Sequence, residues 1–164
     1  MNPPEIDLAP ELIGQVLDAV DKGFERQLAF TQQMMALDST RGKEHRAQAC
    51  FFEALESRGY EMDQWSIDIA EIEGHPGFSP VKVDYDNAVN VVGTHTPVET
   101  KGRSLILNGH VDVVPTGPVD MWTRPPFEPW IEGDWLYGRG GADMKAGLCA
   151  NLAALDALKT LGWQ

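Results

Sequence analysis

Two short segments of the chain carry side chains that could bind a metal ion. His110 and Asp112 follow an apolar run at 104–108, which has the composition of a buried strand. Asp143 follows two glycines at the start of a long helical pattern. Imidazole and carboxylate groups are common zinc ligands. If a strand continues through His110 and Asp112, both side chains point to one face. The Asp112 carboxylate can then accept a hydrogen bond from one imidazole nitrogen while the other nitrogen binds metal.

Each of these residues also has a purely structural interpretation. A His-x-Asp sequence fits a histidine that ends a strand beside an exposed aspartate, and Asp143 fits an acid that favours a helix N-terminus. Segment 138–143 lacks the dinucleotide fingerprint and Lys145 lacks the flanking residues of a P-loop, so nucleotide binding is not indicated. The remaining histidines have no acidic or histidine partner at ligand spacing and are interpreted as surface residues: His45, His75 and His95.

The elements that must position these residues can be predicted from hydrophobic periodicity. Apolar residues at three- or four-residue spacing predict helices at 10–37, 43–58 and 142–161, with Gly23 as a candidate division of the first. Alternating or continuous apolar runs predict strands at 61–69, 88–94, 103–111 and 135–137, and residues 113–133 form a proline-rich, aromatic loop. Because helices alternate with apolar strands, the sequence predicts an α/β fold with a mixed β-sheet flanked by helices.

Composition and charge narrow the class of protein. The chain has 164 residues, the size of one domain, and a formal net charge of −12. That charge argues against binding nucleic acid or an anionic membrane. The first residues, at 1–5, do not resemble a signal peptide, and no apolar run approaches a membrane span, so a cytoplasmic location is expected. Cys50 and Cys149 lie in helical patterns without Cys-x-x-Cys spacing, which favours free buried thiols.

Three motifs together resemble a known enzyme family. They are 109–115, the Trp122 to Phe127 loop with Pro126, and 137–147. In combination they are similar to the acetylornithine deacetylase, succinyl-diaminopimelate desuccinylase and aminoacylase-type co-catalytic zinc metallohydrolases, a group that also includes carboxypeptidase G-like enzymes. The separation between His110 and Asp143 fits the pattern of this family, and the likeness extends over roughly residues 20–164.

The resemblance implies a role for each candidate residue. His110 is expected to bind one metal, Asp143 to bridge two metals, and Asp112 to orient His110. The peptide bond between Asp143 and Met144 is expected to be cis. The implied cofactors are two Zn²⁺ ions, with Co²⁺ or Mn²⁺ as alternatives. The general base and the remaining ligands of this family are expected beyond residue 164, so no general base is assigned within the chain.

The resemblance also implies an activity. The expected enzyme is a zinc-dependent amidohydrolase that cleaves the amide bond of an N-acyl amino acid, or of a short peptide, with a metal-activated water. We expect residues 1–164 to be the N-terminal portion of the zinc-peptidase-like catalytic domain, incomplete at its C-terminal side and without the lid or dimerisation domain. Such a piece should be inactive alone and should expose apolar surface, and the full-length enzyme is expected to be a homodimer.

Two alternatives stay open at the level of the sequence. One is a metallo-carboxypeptidase or dipeptidase of the same family. The other is a non-catalytic binding or assembly module that kept the fold.

Overall fold

The computed structural model describes residues 8–80, 85–99 and 102–163. The helices are α1 (Pro10–Met35), α2 (His45–Glu56), the single turn α3 (Ile69–Ile72) and α4 (Ala146–Thr160). The strands are β1 (Glu61–Ser66), β2 (Val89–Thr94), β3 (Trp130–Glu132) and β4 (Trp135–Tyr137). The N-terminal residues compared above with a signal peptide, and parts of two predicted loops at 81–84 and 100–101, lie outside these ranges. No helix within these ranges is both long and apolar enough to cross a membrane.

The core forms where α4 and α2 meet the C-terminal half of α1. Proline at the first position of α1 suits a helix start because its missing N–H would have no intrahelical partner, and Gly23 does not interrupt the helix. The central cluster of buried residues consists of Met34, Ala47, Val111, Leu148 and Cys149. Val111 is the middle residue of the His-x-Asp motif, so this motif is attached directly to the core.

The two sheets are small and antiparallel. Strands β1 and β2 pair with Glu61 opposite Thr94 and Ser66 opposite Val89, and α2 packs against β2. Strands β3 and β4 form a second pair, in which the rings of Trp130 and Tyr137 stack with their centroids 5.0 Å apart. The first of these two strands lies inside the loop predicted at 113–133, where the prolines obscure a three-residue strand.

The predicted mixed sheet is wrong for the described part of the chain. Its ladders are the two antiparallel pairs, and parallel pairing is limited to one isolated bridge between Thr40 and Val113. Residues 103–111, predicted as a strand, form no hydrogen-bonded strand, because they pair with neither of the two described β-ladders. Leu105 and Ile106 are consequently 75% and 87% exposed, which agrees with the expectation of uncovered apolar surface.

The predicted last helix begins later than expected. Segment Gly141–Lys145 is a wide turn, because the backbone angles of Asp143 and Met144 are not helical, and regular helix starts at Ala146. Asp143 therefore lies before α4 instead of within its first turn. The helix-capping interpretation of Asp143 does not describe this geometry, since a cap belongs to the residue that starts the regular helix.

Candidate metal centre

The imidazole of His110 lies between two carboxylates. Its Nδ1 is 3.0 Å from Asp112 Oδ1, and its Nε2 is 3.1 Å from Asp143 Oδ1. The His110 side chain is 48% exposed and that of Asp143 is 85% exposed. The structure thus brings together all three residues singled out in the sequence, in a site that is open to solvent.

The pairing of His110 with Asp112 does not depend on a β-ladder. Val111 is buried in the core, so the residues on either side of it are directed away from the core and towards solvent. His110 Nδ1 also lies 3.1 Å from the backbone carbonyl oxygen of Asp112. With Nδ1 as the donor to these oxygens, the lone pair of a neutral imidazole is on Nε2, the nitrogen that faces Asp143.

A glycine allows the His110 segment to approach α4. A Cβ atom at Gly109 would lie 2.6 Å from Leu148 Cδ2 and 2.9 Å from Met144 Cε. These separations are far below van der Waals contact. Any side chain at position 109 would therefore push the segment that carries His110 away from the turn that carries Asp143.

A second glycine shapes the turn that carries Asp143. Gly140 has φ +81°, and a Cβ there would lie 2.8 Å from Val113 Cγ1. Its carbonyl accepts a hydrogen bond from the backbone N–H of Lys145 at 3.0 Å. The peptide bond between Asp143 and Met144 is cis, as the resemblance implies.

The arrangement fits a metal ion bound by His110 and Asp143. Two ligands of a tetrahedral zinc, each about 2.0–2.2 Å from the ion, lie roughly 3.4 Å apart. The observed separation of 3.1 Å between His110 Nε2 and Asp143 Oδ1 is close to that value. Across residues 8–80, 85–99 and 102–163, no group of three or more His, Cys, Asp or Glu side chains is arranged to hold a metal. Within these ranges, His110 and Asp143 would therefore offer two ligand side chains to an ion.

The aromatic loop that contributes to the resemblance is fixed beside the turn. The Arg139 guanidinium lies 5.0 Å from the centroid of the Trp122 ring, and the Arg139 backbone N–H donates to the Pro126 carbonyl at 2.7 Å. Trp122 Nε1 donates to the Thr116 carbonyl at 2.9 Å. These contacts join the loop to the segment that leads into Asp143.

The other histidines are not part of this site. The ring of His75 accepts a hydrogen bond from the backbone N–H of Gly77 at 3.1 Å, and His95 packs edge-on against Tyr60. His45 is exposed at the first position of α2. All three side chains are exposed, as expected for surface residues.

Lys145 is a further residue of the site region; from the sequence it is considered only as a P-loop lysine and is assigned no role. Its side chain is 0% exposed, and its Nζ donates to the carbonyls of Met34 and Leu37 at 2.9 and 2.7 Å. Burial lowers the pKa of this lysine to about 8. Hydrophobic periodicity does not identify this lysine as buried. Lysine is almost never fully buried, so a lysine beside a glycine turn is expected to be exposed.

Comparison with known proteins places the chain in one family. The family model "Peptidase family M20/M25/M40" matches residues 106–164, which contain His110, Asp112 and Asp143. The succinyl-diaminopimelate desuccinylase of Dechloromonas aromatica (strain RCB) is 43% identical over 81 residues, covering 49% of this chain and 21% of that protein. The enzyme of the same name from Paraburkholderia xenovorans (strain LB400) is 35% identical over 129 residues, covering 79% of this chain and 30% of that protein.

Solved structures show the same fold. The di-peptidase Dug1p from Saccharomyces cerevisiae superimposes with a TM-score of 0.71 at 19% identity, covering 92% of this chain and 32% of that one. Human carnosine dipeptidase 1 gives a TM-score of 0.65 at 19% identity with the same coverage. The chain therefore spans about a third or less of the length of the relatives it matches.

The segment that matches the family model contains all three candidate residues, and the fold is shared with the solved dipeptidase structures. The chain belongs to the peptidase family M20/M25/M40.

Proposed function

We propose that the protein is a metal-dependent hydrolase that cleaves the amide bond of an N-acyl amino acid, with an N-succinyl amino acid as the preferred class. The observation that carries this proposal is the placement of His110 between Asp112 and Asp143. The choice of acyl group is supported by the name of the relatives that share this segment, which is succinyl-diaminopimelate desuccinylase.

The contacts support a proposed role for each residue. Asp112 would hold the Nδ1 proton of His110, so that Nε2 presents its lone pair to one metal. Asp143 would bridge two metals, since its carboxylate has two oxygens and is largely exposed. When bound, two Zn²⁺ ions would lower the pKa of a water molecule and polarise the amide carbonyl; Co²⁺ or Mn²⁺ suit similar ligands.

The proposed domain organisation follows from the ligand count. Zinc usually has four ligands, and catalytic sites keep one position for water or substrate. Two protein ligands are too few for two metals, so we propose that residues 1–164 are the N-terminal portion of a catalytic domain. Further ligands, the general base and a lid or dimerisation domain would come from other segments of the full-length polypeptide, which we propose to be a homodimer.

The proposal is tested with the full-length polypeptide, loaded with Zn²⁺, on three substrates: an N-succinyl amino acid, an N-acetyl amino acid and a dipeptide. Release of the free amine is measured. We expect fastest turnover of the N-succinyl substrate, and a loss of more than about 100-fold in His110→Ala. His45→Ala is the matched control, because His45 is exposed on α2, and should keep full activity.

Three other results would contradict or change this proposal. Full activity of His110→Ala would contradict the metal assignment. Preferred hydrolysis of the dipeptide would replace the deacylase by a dipeptidase of the same family. Metal binding without turnover of any of the three substrates would favour a binding module.

A further inference from the structure

The two segments that carry the candidate ligands are both attached to the end of α1. The His110 arm is defined here as residues 109–113, and the Asp143 arm as residues 140–145. The α1 end is residues 34–40. Hydrogen bonds join the α1 end to each arm, so the chain at and just after the end of the helix is attached to both halves of the site.

Lys145 makes the connection to the Asp143 arm. Its Nζ donates to the carbonyls of Met34 and Leu37, in and just after the last turn of α1. The last carbonyls of a helix have no intrahelical donor and carry partial negative charge, so an ammonium group is favoured there. Helix α1 has no basic residue of its own in its last turn, and Lys145 supplies this cation from two residues beyond Asp143.

The stem of Lys145 also contacts the start of its own arm. A Cβ at Gly140 would lie 3.2 Å from Lys145 Cδ, so the side chain passes close to the Gly140 backbone. The backbone N–H of Lys145 donates to the Gly140 carbonyl. Both ends of the turn that contains Asp143 are therefore joined through Lys145, by its backbone N–H and by the stem of its buried side chain.

Ser39 makes the connection to the His110 arm. It is fully buried, and its Oγ donates to the carbonyl of Val111 at 2.6 Å. The backbone N–H of Val113 donates to the Ser39 carbonyl at 3.0 Å. Val111 lies between His110 and Asp112, so these bonds fix the backbone from which both side chains project.

We propose that Ser39 and Lys145 are positioning residues that set the distance between His110 Nε2 and Asp143 Oδ1 by attaching both arms to the α1 end. This inference rests on the proposed function. The hydrogen bonds of Ser39 and Lys145 do not reach the side chains of His110 or Asp143. Each residue acts through the backbone of its arm. An interaction that orients ligands in this way typically changes metal affinity by about 10–100-fold when removed.

The test compares Ser39→Ala and Lys145→Met with Thr31→Val in the full-length polypeptide. Thr31 is a matched control because it is buried like Ser39, but it lies on α1 and its hydroxyl donates to the Gln27 carbonyl of its own helix at 2.8 Å. Zn²⁺ affinity is measured by competition with a chromophoric chelator. The absorption spectrum of the Co²⁺-loaded protein reports ligand geometry, and urea unfolding reports stability.

We expect Ser39→Ala and Lys145→Met to weaken Zn²⁺ binding by about 10–100-fold and to change the Co²⁺ spectrum, while Thr31→Val changes neither. If Lys145→Met does not fold, Ser39→Ala decides the outcome alone. Wild-type affinity and an unchanged spectrum in Ser39→Ala would overturn the inference, as would equal effects in Thr31→Val. If the wild-type polypeptide binds no metal, the proposed function fails instead, so the two failures are distinguishable.

Discussion

Replacing Gly109 by alanine tests the close approach between the His110 segment and α4. The added methyl group would lie 2.6 Å from Leu148 Cδ2, 2.9 Å from Met144 Cε and 3.1 Å from Leu148 Cγ. Leu148 is buried in the core, so it cannot move into solvent to make room. The φ angle of Gly109 is not positive, so the expected effect is steric and not a backbone effect.

The size of the effect follows from the cost of overpacking. Forcing an extra methyl group into a well-packed core typically costs about 1–3 kcal/mol of unfolding free energy. For a protein of this size, about 1 kcal/mol lowers Tm by roughly 2–4 °C. Gly109→Ala should therefore lower Tm by about 2–12 °C. It should also weaken Zn²⁺ binding in the full-length polypeptide, because the methyl group displaces His110 from Asp143.

Gly14→Ala is the control for the same chemical change. Gly14 lies inside α1, and a Cβ there would meet no atom within 4 Å. Alanine is favoured over glycine inside a helix by about 0.5–1 kcal/mol, so this variant should raise Tm by about 1–4 °C. Thermal unfolding followed by circular dichroism compares the two variants. A Tm for Gly109→Ala at or above that of the wild type, with unchanged Zn²⁺ affinity, would show that the approach is not close in solution.

Three further predictions concern other parts of the fold. Arg58 pairs with Asp156 through Nε and Nη2 at 2.8–3.1 Å. Asp156→Asn should therefore lower the unfolding free energy, measured by urea titration, by about 2 kcal/mol. An unchanged unfolding free energy would mean that the pair is not formed in solution. Burial raises the pKa of the Asp38 carboxyl, but hydrogen bonds from Lys43 and Thr40 outweigh it and lower the pKa to about 2. The folded state therefore releases this proton more readily than the unfolded chain, and the resulting stability, present above about pH 4, should be lost as the pH falls towards 2. Asp38→Asn should flatten that part of the curve of urea midpoint against pH, and an unchanged curve would contradict the assignment. Burial raises the pKa of the Cys149 thiol to about 11, and this residue is fully enclosed. Iodoacetamide should therefore modify Cys50 first in the native protein. Equal rates of modification of the two cysteines would contradict the packing around α4.

Much of the fold could be predicted from hydrophobic periodicity. Helices α1 and α2 and strands β2 and β4 lie close to their predicted positions. The segment at 103–111 was predicted as a strand from composition, but a strand also requires a hydrogen-bonded neighbour, and composition does not show whether one is present. The wide turn at Gly141–Lys145 was missed because apolar spacing continues through it, although the backbone of Asp143 and Met144 is not helical.

The candidate site was predictable in part. His110, Asp112 and Asp143 could be selected from residue type and motif, and the structure brings them together. Their metal-binding roles stay a proposal. Ser39 and Lys145 could not be selected, because a buried serine and a buried lysine depend on long-range contacts with residues 72 and 108–111 positions away. Sequence patterns report local periodicity and do not contain these contacts.

The metal assignment is best tested by locating zinc in crystals of the full-length polypeptide grown with Zn²⁺, using anomalous scattering at the zinc edge. We expect two peaks on either side of the Asp143 carboxylate, one of them about 2.0–2.2 Å from His110 Nε2. Zinc bound away from both His110 and Asp143 in an active enzyme would contradict the proposed site.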